Sequence, residues 1–199
     1  MNRNVSGKKV TAKEIAVTGI MSAVAFVFMV LEFGVPIVPS FLKFDFSDLP
    51  ALITSFALGP VFGVCVELIK NLLHLLFTHT GGVGELANFL VGTALVFPAG
   101  LIYKHRKTRK NALIGVLAGA VLSTAISFPV NYFITYPFYA KLMPMDAILD
   151  AYKLILPAAD TLPKALLIFN CPFTFVKGVL NACITFAVYK HLSPILKAK

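Results

Sequence analysis

The chain has 199 residues, of which 58% are hydrophobic and 14% are charged, and its mean hydropathy is +0.83. Soluble globular domains hold about 45–50% apolar and about 25% charged residues, so this composition excludes an ordinary soluble domain and indicates an integral membrane protein. The net charge of +9 is unevenly distributed: four lysines and arginines lie near the N-terminus, five between residues 104 and 110, and three at the C-terminus. This is the positive-inside pattern of membrane proteins, so we expect a lipid bilayer and no nucleic acid as partner.

Apolar runs separated by polar segments predict the membrane spans. Runs of about 18 or more apolar residues can cross the roughly 30 Å hydrocarbon core as helices, and hydropathy alone finds five of them. If both termini and the basic segment 104–110 are cytoplasmic, four spans must precede that segment and two must follow it. We therefore predict an all-α protein of six transmembrane helices, with cytoplasmic termini and one membrane domain covering residues 1–199. The predicted spans are 14–34, 48–58, 61–77, 85–103, 111–138 and 164–190.

The first predicted helix carries small residues at helical spacing. Gly19 and Ala23 lie four residues apart, as do Thr18 and Ser22, and Ala16 lies one turn before Gly19. Small residues at this spacing let another helix approach closely, so this helix is predicted either to dock a partner subunit or to pack inside its own bundle. No small-residue cleavage site follows the run, which we therefore interpret as a retained span and not as a signal peptide.

The second predicted helix is set by the Gly59-Pro60 pair, because glycine followed by proline ends one helix and starts the next. The 11 residues of 48–58 would reach only about 17 Å, so the external segment 35–47 must dip into the membrane to meet them. Irregular backbone at that depth is tolerated only where protein covers it or where it lines a cavity. We predict a short second helix and a ligand cavity under this loop; the alternative is an ordinary external loop before a tilted, packed helix.

Two further segments are predicted to be external. Segment 78–84 contains three glycines and is flexible enough to act as a lid or hinge. Segment 141–164 is long and of mixed charge, and we predict no membrane span within it.

Three predicted helices carry polar residues at the three- and four-residue spacing that places them on one helix face. These residues are Glu67, Lys70, Asn71 and His74; Ser123, Ser127, Asn131 and Thr135; and Asn170, Thr174, Lys177 and Asn181. Ionisable groups at membrane depth cost about 2.5–3.5 kcal/mol each, so Lys177, charged and in mid-span, predicts a site for a polar ligand. Asn131 and Asn88 fit either such a site or interhelical hydrogen bonds. Glu67 and Lys70 fit either an ion pair or a ligand site.

The sequence carries no signature of catalysis, disulfide bonding or metal binding. Cys65, Cys171 and Cys183 fall inside apolar runs, where cysteine acts as a small hydrophobic residue, and His74 and His79 lack a metal-ligand cluster. The motifs GxxxxGK[ST], HExxH and GxSxG are absent, so we predict neither an enzyme nor a cofactor. Six short helices without an inverted repeat are few for a complete secondary transporter, which favours a ligand-binding subunit that takes energy from partner proteins.

Several segments carry a family resemblance. Residues 41–64, FLKFDFSDLPALITSFALGPVFGV, resemble the loop and short helix of the riboflavin-specific substrate-binding subunits of energy-coupling-factor (ECF) transporters. Four more segments continue the resemblance in the same order, so that it covers roughly residues 15–189. They are VELIKNLLHLLF (66–77), GELANFLVG (84–92), FPVNYF (128–133) and PFTFVKGVLNA (172–182).

The resemblance implies a vitamin-importing subunit of the bacterial plasma membrane, with riboflavin, or its phosphate FMN, as transported ligand and no cofactor. The vitamin would bind near the external side, under the loop after the first helix. A transmembrane coupling protein and two cytoplasmic ATPases would be the partners, and the face formed by Ala16, Gly19 and Ala23 would contact the coupling protein. The implied ligand contacts are Leu42, Lys43, Phe44, Asp48, Asn88, Gly92, Asn131, Thr174 and Lys177.

One position departs from the family, and two alternatives stay open. Thr174 stands where the family has asparagine, three residues before the matching lysine, although a hydroxyl can also donate and accept a hydrogen bond. The same architecture could bind another vitamin, such as pantothenate, folate or thiamine. A membrane-embedded enzyme or scaffold with Glu67, Lys70 and His74 as its polar site is the alternative from a different class.

Overall fold

The computed structural model describes residues 10–197, with side chains described as far as residue 188. Several basic residues that are predicted to mark the cytoplasmic side lie outside this described part. They are Arg3, Lys8, Lys9 and Lys199, together with the side chains of Lys190 and Lys197. The α-helices are α1 (Ala12–Val30), α2 (Asp48–Leu58), α3 (Pro60–His74), α4 (Val83–His105), α5 (Arg109–Val130), α6 (Tyr136–Tyr139), α7 (Met145–Lys153), α8 (Leu162–Ala165) and α9 (Cys171–Lys197). The described residues also form a 3₁₀ turn (Leu75–Phe77) and two π-helical segments (Asn131–Thr135 and Leu166–Asn170). Two short strands are present as well, β1 (Phe33–Gly34) and β2 (Lys43–Phe44).

Within the described residues, five continuous helical stretches are long and apolar enough to cross a membrane by length and composition. They are Ala12–Val30, Pro60–Phe77, Val83–His105, Arg109–Tyr139 and Leu162–Val188. The remaining predicted span, α2, begins and ends where the sequence placed it, but its 11 residues are too few for a crossing by themselves. The mostly helical architecture is therefore confirmed, and the count of six spans stays a prediction.

Helix α2 is the centre of the bundle. Its residues Asp48 to Phe56 are all buried, and Ala51, Leu52 and Ile53 are at most 1% exposed. Helices α1, α3, α4 and α9 all pack against it, which explains why an 11-residue helix is hydrophobic on every side. At its end Gly59 has a φ of 123°, a backbone conformation that only glycine adopts readily, and Pro60 then opens α3.

Helices α4 and α5 pack closely because glycines face the neighbouring backbone. A Cβ atom on Gly119 would lie 2.2 Å from the carbonyl oxygen of Leu95, closer than any side chain can approach. The two helices consequently cross almost backbone to backbone, in the way that small residues permit within membranes. The exposed ends of these two helices and the turn between them carry Lys104, Arg106, Lys107, Arg109 and Lys110.

The side of the bundle that is predicted to be external contains structure that the sequence did not predict. Helix α1 stops at Val30, four residues before the predicted end, and the chain then forms an antiparallel ladder in which Phe33 pairs with Phe44. The all-α prediction is therefore corrected by one two-stranded ladder. Segment 141–164 contains the amphipathic helix α7, which buries Ile148 and Tyr152, four residues apart.

The two π-helical segments lie where prolines interrupt the long helices. The segment Asn131–Thr135 lies between Pro129 and Pro137, and Leu166–Asn170 lies between Pro163 and Pro172. Proline has no N–H to donate to the preceding turn, so the ladder of hydrogen bonds is locally re-registered. Such segments occur frequently at functional sites, and each of these contains an asparagine that faces the cavity described next.

Candidate functional site

A cavity of about 500 Å³ lies under the loop that joins α1 to α2, which is the loop predicted to be external. Its walls come from this loop, from α3, α4, α5 and α7, and from the start of α9. Eight of the nine predicted ligand contacts line it: Leu42, Lys43, Asp48, Asn88, Gly92, Asn131, Thr174 and Lys177. The structure thus brings them together as neighbours of one cavity, and their role as ligand contacts stays a prediction.

Phe44 is the ninth predicted contact, and it does not line the cavity. It is 6% exposed and packs edge-on against Phe46 and Phe173, while Phe33 covers it across the β1–β2 ladder. Because side chains alternate along a strand, the neighbouring Lys43 lines the cavity and Phe44 turns away from it. Phe44 therefore anchors the loop on α9 through its contact with Phe173.

Lys177 is ion-paired with the loop above the cavity. Its Nζ lies 2.8 Å from Oδ2 of Asp45 and 3.9 Å from Oδ2 of Asp48. The other oxygen of Asp45 accepts a hydrogen bond from the backbone N–H of Ser47 at 2.8 Å, so this carboxylate is held on both sides. Asp45 was missed by the sequence analysis, although it stands three residues before Asp48 in the segment that carried the family resemblance.

A second lysine completes a buried charge network. Lys70 Nζ lies 2.6 Å from Oδ1 of Asp48, 2.8 Å from Oε2 of Glu67 and 2.8 Å from the hydroxyl of Ser47. The side chains of Lys70 and Glu67 are 0% exposed. Glu67 and Lys70 therefore form an ion pair, which is one of the two alternatives that the sequence left open. Asp48 lies close to both Lys70 and Lys177, so the network connects α3 to α9.

Gly92 forms the wall between the cavity and this network. A Cβ atom at Gly92 would lie 2.3 Å from Oε2 of Glu67. Gly92→Ala is expected to lower the free energy of unfolding by about 1–3 kcal/mol, because the buried Glu67 must leave its contact with Lys70. The measurement is denaturant unfolding in mixed micelles. Gly19→Ala is the matched control: nothing lies within 4 Å of that Cβ position, so a loss equal to that of Gly92→Ala would contradict the explanation.

Three polar groups at the cavity are available to a ligand. The side-chain N–H of Asn131 donates to the carbonyl of Ser127 at 2.8 Å, and its amide oxygen has no hydrogen bond within residues 10–188. The oxygen of Asn88 accepts from Asn71 at 3.3 Å, which leaves its N–H groups free among the described side chains. Thr174 offers a hydroxyl. Together they present one acceptor, one donor and one group able to do either.

The rim beside α3 and α4 is ordered by a buried carboxylate. Glu85 lies 2.9 Å from Nδ1 of His74 and accepts a hydrogen bond from Thr78 at 2.9 Å. Thr78 also accepts from the backbone N–H of Gly82 at 3.1 Å. These contacts hold the glycine-containing segment 78–84, predicted to be flexible, against the start of α4. His74 therefore has a structural partner, as the sequence favoured.

A ring of three hydrogen bonds connects α7 to the cavity wall. Tyr152 donates to the amide oxygen of Asn170 at 2.6 Å, Asn170 donates to Tyr136 at 3.1 Å, and the two tyrosine hydroxyls are in direct contact. Burial raises the pKa of Tyr152, so its phenol stays protonated and can donate. The sequence placed Asn170 on a polar face, but it offered no signal for the two tyrosines.

The small residues of α1 divide into two faces. Thr18 and Ser22 are buried in the bundle, whereas Ala16, Gly19 and Ala23 are exposed on the opposite side. Nothing lies within 4 Å of the position that a Cβ of Gly19 would occupy. The internal-packing alternative therefore describes Thr18 and Ser22. The other face is open within the described part of the chain, and its role in docking a partner stays a prediction.

Comparison with known proteins gives concordant matches along nearly the whole chain. The model of the family described as "ECF transporter, substrate-specific component" matches residues 13–189. The riboflavin transporter RibU of Staphylococcus aureus (strain TCH60) is 32% identical over 185 residues, which cover 93% of each chain. The riboflavin transporter FmnP of Bacillus subtilis (strain 168) is 30% identical over 185 residues, 92% of this chain and 93% of FmnP. A solved S component of a bacterial ECF transporter superposes with a TM-score of 0.74 at 31% identity, covering 93% of this chain and 98% of that one.

Proposed function

Because the chain belongs to the family of substrate-specific components of ECF transporters, we propose that it captures riboflavin in its cavity and delivers it to an ATP-driven importing module. Members of this family are transporter components and not enzymes. One observation carries the proposal: eight residues that the family resemblance implies as ligand contacts line the same cavity. Its volume of about 500 Å³ suits a vitamin-sized ligand. Riboflavin also agrees with the names of the relatives RibU and FmnP.

The cavity chemistry suits an isoalloxazine ring with a ribityl chain. Phe41, Leu42 and Phe173 supply apolar walls against which the ring can pack. The free oxygen of Asn131 can accept from the imide N–H of the ring, and the N–H groups of Asn88 can donate to a ring carbonyl. The ribityl hydroxyls would meet Thr174, Lys177 and Asp48. An analogue that leaves these buried groups unpaired would bind more weakly.

The proposed setting is a bacterial plasma membrane crossed six times, with both termini in the cytoplasm. The exposed cations in and beside the α4–α5 turn support this orientation through the positive-inside rule. The ECF family implies an energising module as partner, and we propose a transmembrane coupling protein with two cytoplasmic ATPases. The exposed α1 face of Ala16, Gly19 and Ala23 is the proposed contact with the coupling protein.

Neither the structure nor the family supports the alternative of a membrane-embedded enzyme. Glu67 and Lys70, its central residues, are 0% exposed and are paired with each other, so they have no surface to offer a substrate. His74 does line the cavity, but it contacts Glu85.

Riboflavin binding is tested directly by quenching of flavin fluorescence on titration with detergent-purified protein. We expect the wild type to bind riboflavin and Asn131→Ala to weaken binding about tenfold or more, because one hydrogen bond to a buried partner is worth about 1–3 kcal/mol. Asn111→Ala, at the opposite end of α5, is the matched control and should leave affinity unchanged. No quenching by the wild type at micromolar flavin would reject the function. Equal losses in both variants would reject the role of Asn131.

A further inference from the structure

The two segments that cover the cavity meet at the hydrogen-bonded ring of Tyr136, Tyr152 and Asn170. From the external loop, Phe41 packs edge-on against Tyr152 with ring centroids 5.5 Å apart, and against Tyr136 at 6.4 Å. From α7, Ile148 lines the cavity and is 1% exposed. Tyr152 itself belongs to α7, and Asn170 itself lines the cavity.

The hydroxyl protons of this ring have one consistent arrangement. Each tyrosine hydroxyl has a single proton. Since Tyr152 gives its proton to the oxygen of Asn170 at 2.6 Å, Tyr136 must be the donor in its contact with Tyr152. Asn170 then donates to Tyr136 at 3.1 Å. Each of the three side chains therefore donates once and accepts once, and hydrogen bonds in such closed chains reinforce one another.

We infer that Tyr152 is a positioning residue that controls how fast the ligand enters and leaves the cavity. Its hydroxyl attaches α7 to the π-helical segment Leu166–Asn170, and its aromatic face supports Phe41 of the external loop. Opening either cover must move a contact of Tyr152. The ring is contacted by Phe41 from the loop and contains Tyr152 of α7, so it must open whenever either cover moves to admit or release a ligand. The inference on ligand exchange rests on the proposed function.

This arrangement predicts a kinetic pattern that differs from that of a ligand contact. Loss of a ligand contact such as Asn131 weakens binding at equilibrium. Loss of the ring makes opening easier for the empty and for the loaded protein alike. Association and dissociation should therefore both accelerate, and the Kd should change little.

The test is Tyr152→Phe, which removes the hydroxyl and keeps the aromatic ring that supports Phe41. Stopped-flow flavin fluorescence should show association and dissociation rates that both rise about tenfold or more, because the change removes both hydrogen bonds of this hydroxyl, with a Kd within threefold of the wild type. Tyr132→Phe is the matched control. Tyr132 packs against the same cluster, but its hydroxyl has no hydrogen bond within residues 10–188, so both rates should stay within twofold.

A second measurement needs no ligand. Ile148→Cys is introduced into a variant whose three native cysteines are replaced by alanine. The rate at which a soluble maleimide labels the introduced thiol is then measured. Tyr152→Phe should accelerate labelling about tenfold. This acceleration without any riboflavin binding would reject the proposed function while supporting the ring as the closing device.

Two results would overturn the inference. The first is an unchanged labelling rate in Tyr152→Phe. The second is a variant whose affinity falls because only dissociation accelerates, which would make Tyr152 part of the ligand contacts. If Tyr152→Phe does not fold, Tyr136→Phe replaces it, since that change also opens the ring and must produce the same pattern.

Discussion

Lys70→Met is expected to lower the free energy of unfolding by about 3–5 kcal/mol, the cost of leaving buried charges without their partner. Lys70 is 0% exposed and lies within 2.8 Å of carboxylate oxygens of both Asp48 and Glu67. Methionine fills similar space but leaves these carboxylates without the cation between α2 and α3. Because whole domains are stable by only about 5–15 kcal/mol, the loss should be visible as poor yield and early unfolding in mixed micelles.

The chain offers a close control for this prediction. Lys153 also pairs with a carboxylate three residues before it, Asp150, at 3.2 Å, but the two side chains are 41% and 65% exposed. Lys153→Met should cost less than about 1 kcal/mol, as exposed ion pairs usually do. Neutralising the stranded carboxylates in the triple variant Lys70→Met, Asp48→Asn, Glu67→Gln should restore part of the stability. Equal losses for the two lysines, or no recovery in the triple variant, would contradict the assigned role of the network.

Gly19→Leu combined with Ala23→Leu is expected to abolish riboflavin uptake and to leave riboflavin binding within about twofold of the wild type. Both positions are exposed on α1, and their small side chains would allow a helix of the coupling protein to approach closely. Two leucines would hold that helix away without touching the cavity. Uptake is measured in cells that contain the complete importing module, and binding is measured on the purified subunit.

Ala125→Leu is the control for the docking face. Ala125 is an exposed alanine on α5, so the change adds the same bulk to a different side of the bundle and should spare uptake. Normal uptake by the α1 variant would show that this face does not dock the module. Loss of riboflavin binding in that variant would show that the damage lies in the fold.

The buried charge network also explains how the external loop and α9 come to share one site. Lys177 contacts the loop through Asp45, and Lys70 contacts Ser47 of the same loop and Asp48 at the start of α2. Two lysines from different helices therefore fix the irregular segment that covers the cavity. Such contacts are what an irregular segment would need if it lies at membrane depth, as the sequence predicts for this loop.

Local patterns in the sequence were sufficient to predict the helices and the position of the cavity. The bounds of α2 could be predicted because Gly59 and Pro60 act on their own neighbours, and the cavity followed from the shortness of that helix. The resemblance named eight residues that line this cavity. The two faces of α1 followed from helical spacing alone, although only the structure decided which of them is open.

The tertiary structure alone decided the partners of the polar groups. The Asp45–Lys177 pair joins residues 132 positions apart, and the ring of Tyr136, Tyr152 and Asn170 joins three separate helical segments. Helical and strand periods fix which residues share a face, but they carry no information on which distant face packs opposite. Phe44 illustrates the same limit, since pairing with Phe33 turned it away from the cavity. Sequence therefore determined which side chains are costly to bury, and packing determined which of them pair with each other and which stay free for a ligand.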